Sequence, residues 1–125
     1  MTLTAHQIRA LERNVFATIC SPEALMEEAG TAAARKIHES FPIPGHAFAV
    51  FGKGHNGGDA LVVARELAIN GWSVSLIPAT PRSEWAPLTK KKFGEAGLCS
   101  HATELPSLES LPHSGTLLLL DGLVG

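Results

Sequence analysis

Residues Ala47 to Arg65 read AFAVFGKGHNGGDALVVAR, and this stretch decides the fold. An apolar run ends at Phe51, four glycines follow within seven residues, and a helical pattern starts at Asp59. Strand, glycine-rich turn and helix, in that order, bring main-chain N–H groups up to a phosphate or another polar ligand in α/β proteins. The glycine spacing is not G-x-G-x-x-G, and no Lys-Ser or Lys-Thr follows the last glycine as in a P-loop. The stretch therefore predicts a ligand-binding turn of another kind.

The rest of the chain alternates helices with strands, which predicts an α/β protein with a parallel sheet and right-handed crossovers. The last strand is apolar at every position, so we expect it to be central and covered by helices on both faces. In the first half of the chain, the predicted elements are a helix from Thr4 with Ile8, Leu11 and Val15 on one face, a helix from Ser21, and a strand over 46–51. Helix Asp59–Asn70 and strand Trp72–Ile77 follow. The remaining elements are helix Ser83–Ala96 with Lys90, Lys91 and Lys92 on its solvated face, loop His101–Ser114, and strand Thr116–Leu120.

Composition excludes several classes of protein. The chain has 125 residues, a formal net charge of −2 and a hydrophobic fraction of 45%, so it predicts one packed domain, or part of one, without a field that attracts nucleic acid. No apolar run reaches the roughly 18 residues that span a bilayer, and no signal peptide is visible, which predicts a cytoplasmic protein with no membrane partner. Cys20 and Cys99 are interpreted as free thiols.

Three motifs resemble one family. GKGHNGGDALVVAR (52–65) resembles the G-x-G-x-N-G-G-D-G-x-x-x-A-R signature of the NAD(P)HX epimerase family, the YjeF N-terminal domain. LMEEAG (25–30) is similar to its L-M-E-x-A-G helix, and LLDGLVG (119–125) to its V-D-A-L-F-G strand end. The resemblance implies a Rossmann-like three-layer α/β/α sandwich. It also implies epimerisation, at C6, of the R and S forms of hydrated NADH and NADPH (NADHX and NADPHX).

The resemblance also implies a set of site residues. The substrate-binding residues would be His55, Asn56, Gly57, Gly58, Asp59 and Gly125, and the potassium ligands would be Asn56 and Asp121. The family's proton-transfer aspartate belongs to a later segment, so no catalytic residue is assigned. We therefore expect residues 1–125 to be a domain that is incomplete at its C-terminal end and inactive alone. The implied partners are a homodimer mate and a fused or separate dehydratase that uses ATP or ADP.

Alternative interpretations stay open from the sequence alone. Asp59 either lines the ligand site or serves as the N-cap of its helix. His55 is either a general acid–base group or an exposed loop residue. The runner-up function is a non-catalytic scaffold or dimerisation module with the same fold, and a generic Rossmann nucleotide-binding protein is the third. The intact N-G-G-D string and Asp121 favour the enzyme, since a scaffold needs no oxygen-lined ion site.

Overall fold

The computed structural model describes residues 4–6, 21–99, 102–104 and 116–123. Of the predicted N-terminal helix, Ile8, Leu11 and Val15 lie outside the described residues. The described elements are helix α1 (Pro22–Ser40), strand β1 (His46–Phe51), helix α2 (His55–Ile69), strand β2 (Ser73–Pro78), a 3-10 helix (Arg82–Glu84), helix α3 (Pro87–Gly97), strand β3 (Ala102–Glu104) and strand β4 (Leu117–Gly122).

The four strands form one sheet in the order β3-β2-β1-β4, and each neighbouring pair is parallel. Ala49 of β1 is level with Leu76 of β2 and Leu120 of β4. Parallel neighbours need a crossover between them, and α2 and α3 supply the crossovers from β1 to β2 and from β2 to β3. The prediction of an α/β fold with a parallel sheet flanked by helices is confirmed.

One face of the sheet forms the core with the helices. Small residues on α1 let it approach α2 closely: a Cβ added at Gly30 would overlap the side chain of Val62. The core residues include Ala47, Ala49 and Phe51 of β1, Val74 and Leu76 of β2, Leu118 and Leu120 of β4, Ala33 and Ile37 of α1, and Leu61, Ala64 and Leu67 of α2.

Strand β4 departs from the sequence-based prediction. In the described part of the chain it lies at the sheet edge, and its residues alternate between exposed and buried. Leu117 and Leu119 are 49% and 56% exposed, whereas Leu118 and Leu120 are buried against the helices. The prediction of a central strand covered on both faces is therefore wrong for the residues described. A run of four leucines cannot distinguish a strand buried on two faces from one buried on a single face.

Three element boundaries also differ from the predictions. Helix α2 begins at His55 instead of Asp59, because Gly57 and Gly58 form its first turn rather than a loop. The helix predicted from Ser83 is a 3-10 turn followed by α3, which begins at Pro87, where a missing N–H is tolerated. The predicted loop over 101–114 contains β3, whose three residues are too few to give a strand pattern.

A charged cluster joins the three helices. The ammonium of Lys92 on α3 contacts carboxylates of Glu23 and Glu27 on α1 and of Glu95 on α3, with oxygens of Glu23 and Glu95 at 2.8 and 3.1 Å. Arg65 of α2 pairs with Glu27 and Glu95. The side chain of Lys92 is only 1% exposed, so its assignment to a solvated face is wrong. The sequence could not reveal this, because the two carboxylates on α1 lie 69 and 65 residues earlier in the chain.

Because of this cluster, we expect the free energy of unfolding to fall in acid. Hydrogen bonding to Arg65, opposed by burial and assisted by Lys92, lowers the pKa of Glu27 to about 2 from 4.5. A lowered folded-state pKa stabilises the fold above the unfolded value, and this contribution is lost as pH falls from about 4.5 towards 2. Because Glu27 is about one-third exposed, screening reduces the expected contribution to about 1–2 kcal/mol.

Urea unfolding of the unmodified chain and of Glu27→Gln, repeated between pH 7 and pH 2.5, measures this contribution. We expect Glu27→Gln to be less stable at pH 7 and to lose less stability on acidification. Glu28→Gln is the matched control, because Glu28 is exposed and makes no ion pair within the described residues. Parallel pH profiles for Glu27→Gln and the unmodified chain would contradict the assignment.

Candidate functional site

Three glycines allow close main-chain packing at the carboxyl edge of the sheet. The Gly52 N–H donates to the Gly122 carbonyl at 3.1 Å, which continues the β1–β4 pairing beyond β1. A Cβ at Gly122 would lie 2.7 Å from the Ala60 Cβ and 3.0 Å from the Asn56 carbonyl oxygen. A Cβ at Gly57 would overlap the carbonyl oxygen of Gly52. The end of β1, the start of α2 and the end of β4 therefore meet with no room for a side chain at Gly57 or at Gly122.

The first turn of α2 is ordered by its own main chain. Gly54 is the N-cap and supplies no side-chain cap, while its carbonyl accepts the N–H groups of Gly57 and Gly58 at 3.0 and 3.3 Å. Gly58 faces α1, where an added Cβ would lie 2.8 Å from the Met26 Cε. Gly57 and Gly58 thus have packing partners that explain their identity. Any anion at this turn would have to bind N–H groups other than theirs.

A contact from α3 holds the glycine-rich turn in place. The Ala86 N–H donates to the Lys53 carbonyl at 2.8 Å. The Thr89 hydroxyl lies 3.1 and 3.0 Å from the carbonyl oxygens of Lys53 and Gly54. Thr89 is 1% exposed, so its hydrogen bonds to these carbonyls are shielded from water. Sequence reasoning missed Thr89, because no local pattern indicates which threonine of a polar helix reaches a distant turn.

The structure separates the predicted polar site residues by burial. His55 is exposed at the first position of α2, Asn56 is half-buried beside it, and Asp59 is fully buried at 0% exposure. The alternative in which Asp59 caps the helix is wrong, since Gly54 occupies the N-cap position. The loop placement of His55 is also wrong, because the residue is helical. The predicted site residue Gly125 lies outside the described residues.

Asp121 lies inside β4, level with Val50 of β1, rather than after the strand. It is exposed, and its Oδ1 accepts the Leu123 N–H at 2.9 Å. The next residue, Gly122, packs against the main chain of Asn56, so the two predicted potassium ligands come from adjoining segments at one edge. Both offer oxygen donors, an amide and a carboxylate, which are the donors that hard cations bind. The residues present therefore fit the cation that the family resemblance implies.

An aromatic cluster lies beside this edge. The rings of Phe51, Trp85 and Phe93 contact one another, with centroids 5.0 to 5.6 Å apart. The Trp85 Nε1–H donates to the Thr80 carbonyl at 3.0 Å, which closes the segment that follows β2. The Arg82 guanidinium lies over this cluster, 5.5 Å from the Trp85 centroid and 5.4 Å from that of Phe93.

The architecture and the edge define a class: an α/β protein with a parallel sheet and a glycine-packed turn at the carboxyl ends of its strands. Its sequence matches the family described as YjeF-related protein N-terminus over residues 22–125. The chain belongs to this family. The family resemblance inferred from the sequence motifs is confirmed.

Curated relatives are similar over most of this chain. A bifunctional NAD(P)H-hydrate repair enzyme from Gloeobacter violaceus is 38% identical over 97% of the chain and 23% of its own length. An NAD(P)H-hydrate epimerase from Rhodopirellula baltica is 30% identical over 98% of the chain and 51% of its own length. The chain thus spans 23% of the first of these proteins and 51% of the second.

A solved structure supports the fold. The crystal structure of yeast ynu0, YNL200c, superposes with a TM-score of 0.61 at 20% identity, covering 98% of this chain and 47% of the yeast chain. At this identity the likeness establishes the fold alone. Among the described helices, none combines the length and hydropathy needed to cross a membrane.

Proposed function

We propose that this chain provides the epimerase domain that interconverts the R and S forms of NADHX and NADPHX at C6. The observation that carries the proposal is the glycine-packed edge, where Gly52, Gly57 and Gly122 bring three main-chain segments together beside Asn56. Ligands of open α/β sheets bind outside the carboxyl ends of the strands, which is where this edge lies. The names of the relatives from Gloeobacter violaceus and Rhodopirellula baltica give the substrate class.

The proposed chemistry is loss of the C6 hydroxyl to give a conjugated iminium, followed by return of water to the other face. An acid protonates the departing hydroxyl, and the same group, as its conjugate base, takes a proton from the incoming water. We expect His55, which is exposed, and Asn56, which is half-buried, to contact the substrate, whereas Asp59 is fully buried. Potassium, where bound, would supply fixed positive charge, and Asn56 and Asp121 would hold it.

The proposed partners follow from the same reaction. The S form passes to a dehydratase that uses ATP or ADP, on the same polypeptide or on another. We also propose a homodimer and a cytoplasmic location, where the nicotinamide cofactors are consumed.

Asn56→Ala and Asp121→Ala test the site. Each substitution removes an oxygen ligand, so we expect potassium-dependent binding of ADP-ribose to weaken by about 10- to 100-fold. The fold should be kept, because Asn56 and Asp121 are outside the apolar core. Titration calorimetry in potassium and in sodium buffers measures the affinity. Chiral separation of R and S NADHX over time measures epimerisation, with each variant joined to the family's later proton-transfer segment.

Two control variants distinguish a loss of ligand binding from a loss of folding. Asn70→Ala changes an exposed asparagine at the other end of α2, and Glu104→Ala changes an exposed carboxylate on β3. Both controls should bind ADP-ribose like the unmodified chain. If Asn56→Ala or Asp121→Ala unfolds while its folded fraction binds normally, that residue is structural and the proposed ligand set fails.

A further inference from the structure

Two exposed cations occur in the loops that follow neighbouring strands at the carboxyl edge. Lys53 follows β1 in the glycine-rich turn, and Arg82 follows β2 in the 3-10 helix. The Lys53 carbonyl accepts the Ala86 N–H at 2.8 Å, so the two loops are joined through their main chains. Neither cation has a carboxylate within ion-pair distance in the described part of the chain. Both cations are therefore exposed without an ion-pair partner among the described residues.

Arg82 is held in a defined orientation. Its guanidinium carbon lies about equally far from the ring centroids of Trp85 and Phe93, at 5.5 and 5.4 Å. The Trp85 ring is itself fixed by its hydrogen bond to Thr80. A stacked guanidinium keeps the N–H donors on its edge available, and their fork geometry matches two oxygens of a phosphate.

The position of Arg82 in the fold indicates which phosphate it would bind. In dinucleotide-binding α/β proteins, a residue near the end of the second strand contacts the adenosine ribose. An acidic residue there accepts the 2′-hydroxyl of NAD, whereas an arginine accommodates the 2′-phosphate of NADP. Here β2 is followed by Ala79, Thr80 and Pro81, then Arg82, with no acid before it.

We propose that Arg82, assisted by Lys53, binds the 2′-phosphate of the phosphorylated dinucleotide and makes NADPHX the preferred substrate. This inference rests on the proposed function for its substrate, but the phosphate subsite is testable by binding alone. The competing group is Glu84, an exposed carboxylate two residues after Arg82 on the same 3-10 helix. If Glu84 selected a ribose hydroxyl instead, the preference would be reversed.

Binding of adenosine 2′,5′-bisphosphate, adenosine 3′,5′-bisphosphate and 5′-AMP to the full chain tests the subsite by titration calorimetry. We expect the 2′,5′-bisphosphate to bind at least about tenfold more tightly than the other two, and the difference to shrink as salt is raised. Arg82→Gln should abolish the difference, and Lys53→Gln should reduce it. Arg35→Gln, which removes an exposed arginine on α1, should leave it unchanged.

Each contrary result overturns the inference. Equal affinity for the 2′,5′- and 3′,5′-bisphosphates would show attraction to anions in general. An unchanged affinity ratio in Arg82→Gln, or an equal loss in Arg35→Gln, would remove Arg82 from the subsite. Tighter 5′-AMP binding that is lost in Glu84→Gln would assign selection to Glu84. The epimerisation assay uses the chain joined to the family's later proton-transfer segment. Absence of the 2′-phosphate preference with NADHX epimerisation intact refutes this inference alone, whereas the preference without epimerisation of either hydrate refutes the proposed function alone.

Discussion

Gly57→Ala is expected to destabilise the fold by about 3 kcal/mol or more, at the upper end of the cost of overpacking. The added Cβ would overlap the carbonyl oxygen of Gly52. Both groups belong to main chain that is held by hydrogen bonds, so neither can move aside as a flexible side chain would. For a domain of this size the midpoint of thermal unfolding should fall by roughly 10 °C. Differential scanning calorimetry and urea unfolding measure the loss.

Gly54→Ala is the matched control within the same turn. Nothing lies within 4 Å of a Cβ added at Gly54, and its φ of −98° is accessible to any residue. Its stability should change by no more than about 0.5 kcal/mol. Equal stability of the two variants would show that the turn relaxes freely, and close packing would then no longer explain Gly57.

Lys92→Met is the second large effect that we expect. The substitution keeps the aliphatic stem but leaves three carboxylates, from Glu23, Glu27 and Glu95, without their shared ammonium. Burial by itself lowers the pKa of Lys92, but the hydrogen bonds to the three glutamates outweigh it, so the pKa is raised and the charge is retained. Removing one partner of a buried ion pair is costly, and partial exposure of the glutamates moderates the cost to about 2–3 kcal/mol.

Urea unfolding at pH 7 measures this cost, with Lys90→Met as control. Lys90 belongs to the same lysine run but is exposed and makes no ion pair within the described residues. We expect the control to stay within about 0.5 kcal/mol of the unmodified chain. If Lys92→Met were no less stable than Lys90→Met, methylene packing would account for the position of Lys92, and the cluster would not hold the helices together.

The sequence predicted most accurately the part of the site whose structure depends on residues that are close together in the chain. The order of strand, glycine-rich turn and helix was predictable from Ala47 to Arg65, because each element there has its own periodicity. The start of α2 was not, since glycine at 57 and 58 normally indicates a turn. Here both glycines are helical, and an added side chain would overlap the Gly52 carbonyl at position 57 and contact Met26 at position 58. Only the tertiary structure contains that information.

Long-range contacts explain the remaining differences. Lys92 was assigned to a solvated face because it belongs to a run of three lysines. The carboxylates that contact it come partly from α1, which a local pattern cannot show. Thr89 gave no signal, because its acceptors are the carbonyls of a turn 35 residues earlier. The position of β4 at an edge was equally hidden, since a strand's sequence does not state how many neighbours it has. The predicted potassium ligands remain a proposal, supported by oxygen donors at adjoining segments.

The strand order also has a consequence for synthesis of the chain on the ribosome. β1 pairs with β2 on one side and with β4 on the other, and β4 begins about 65 residues after β1 ends. At about 5–20 residues per second, a nascent chain holds β1 with at least one unpaired edge for roughly 3 to 13 seconds. During that interval Gly52 lacks its hydrogen bond to the Gly122 carbonyl. The open edge of β1 is then available for pairing with another chain, which makes this the period when a nascent molecule most needs a chaperone.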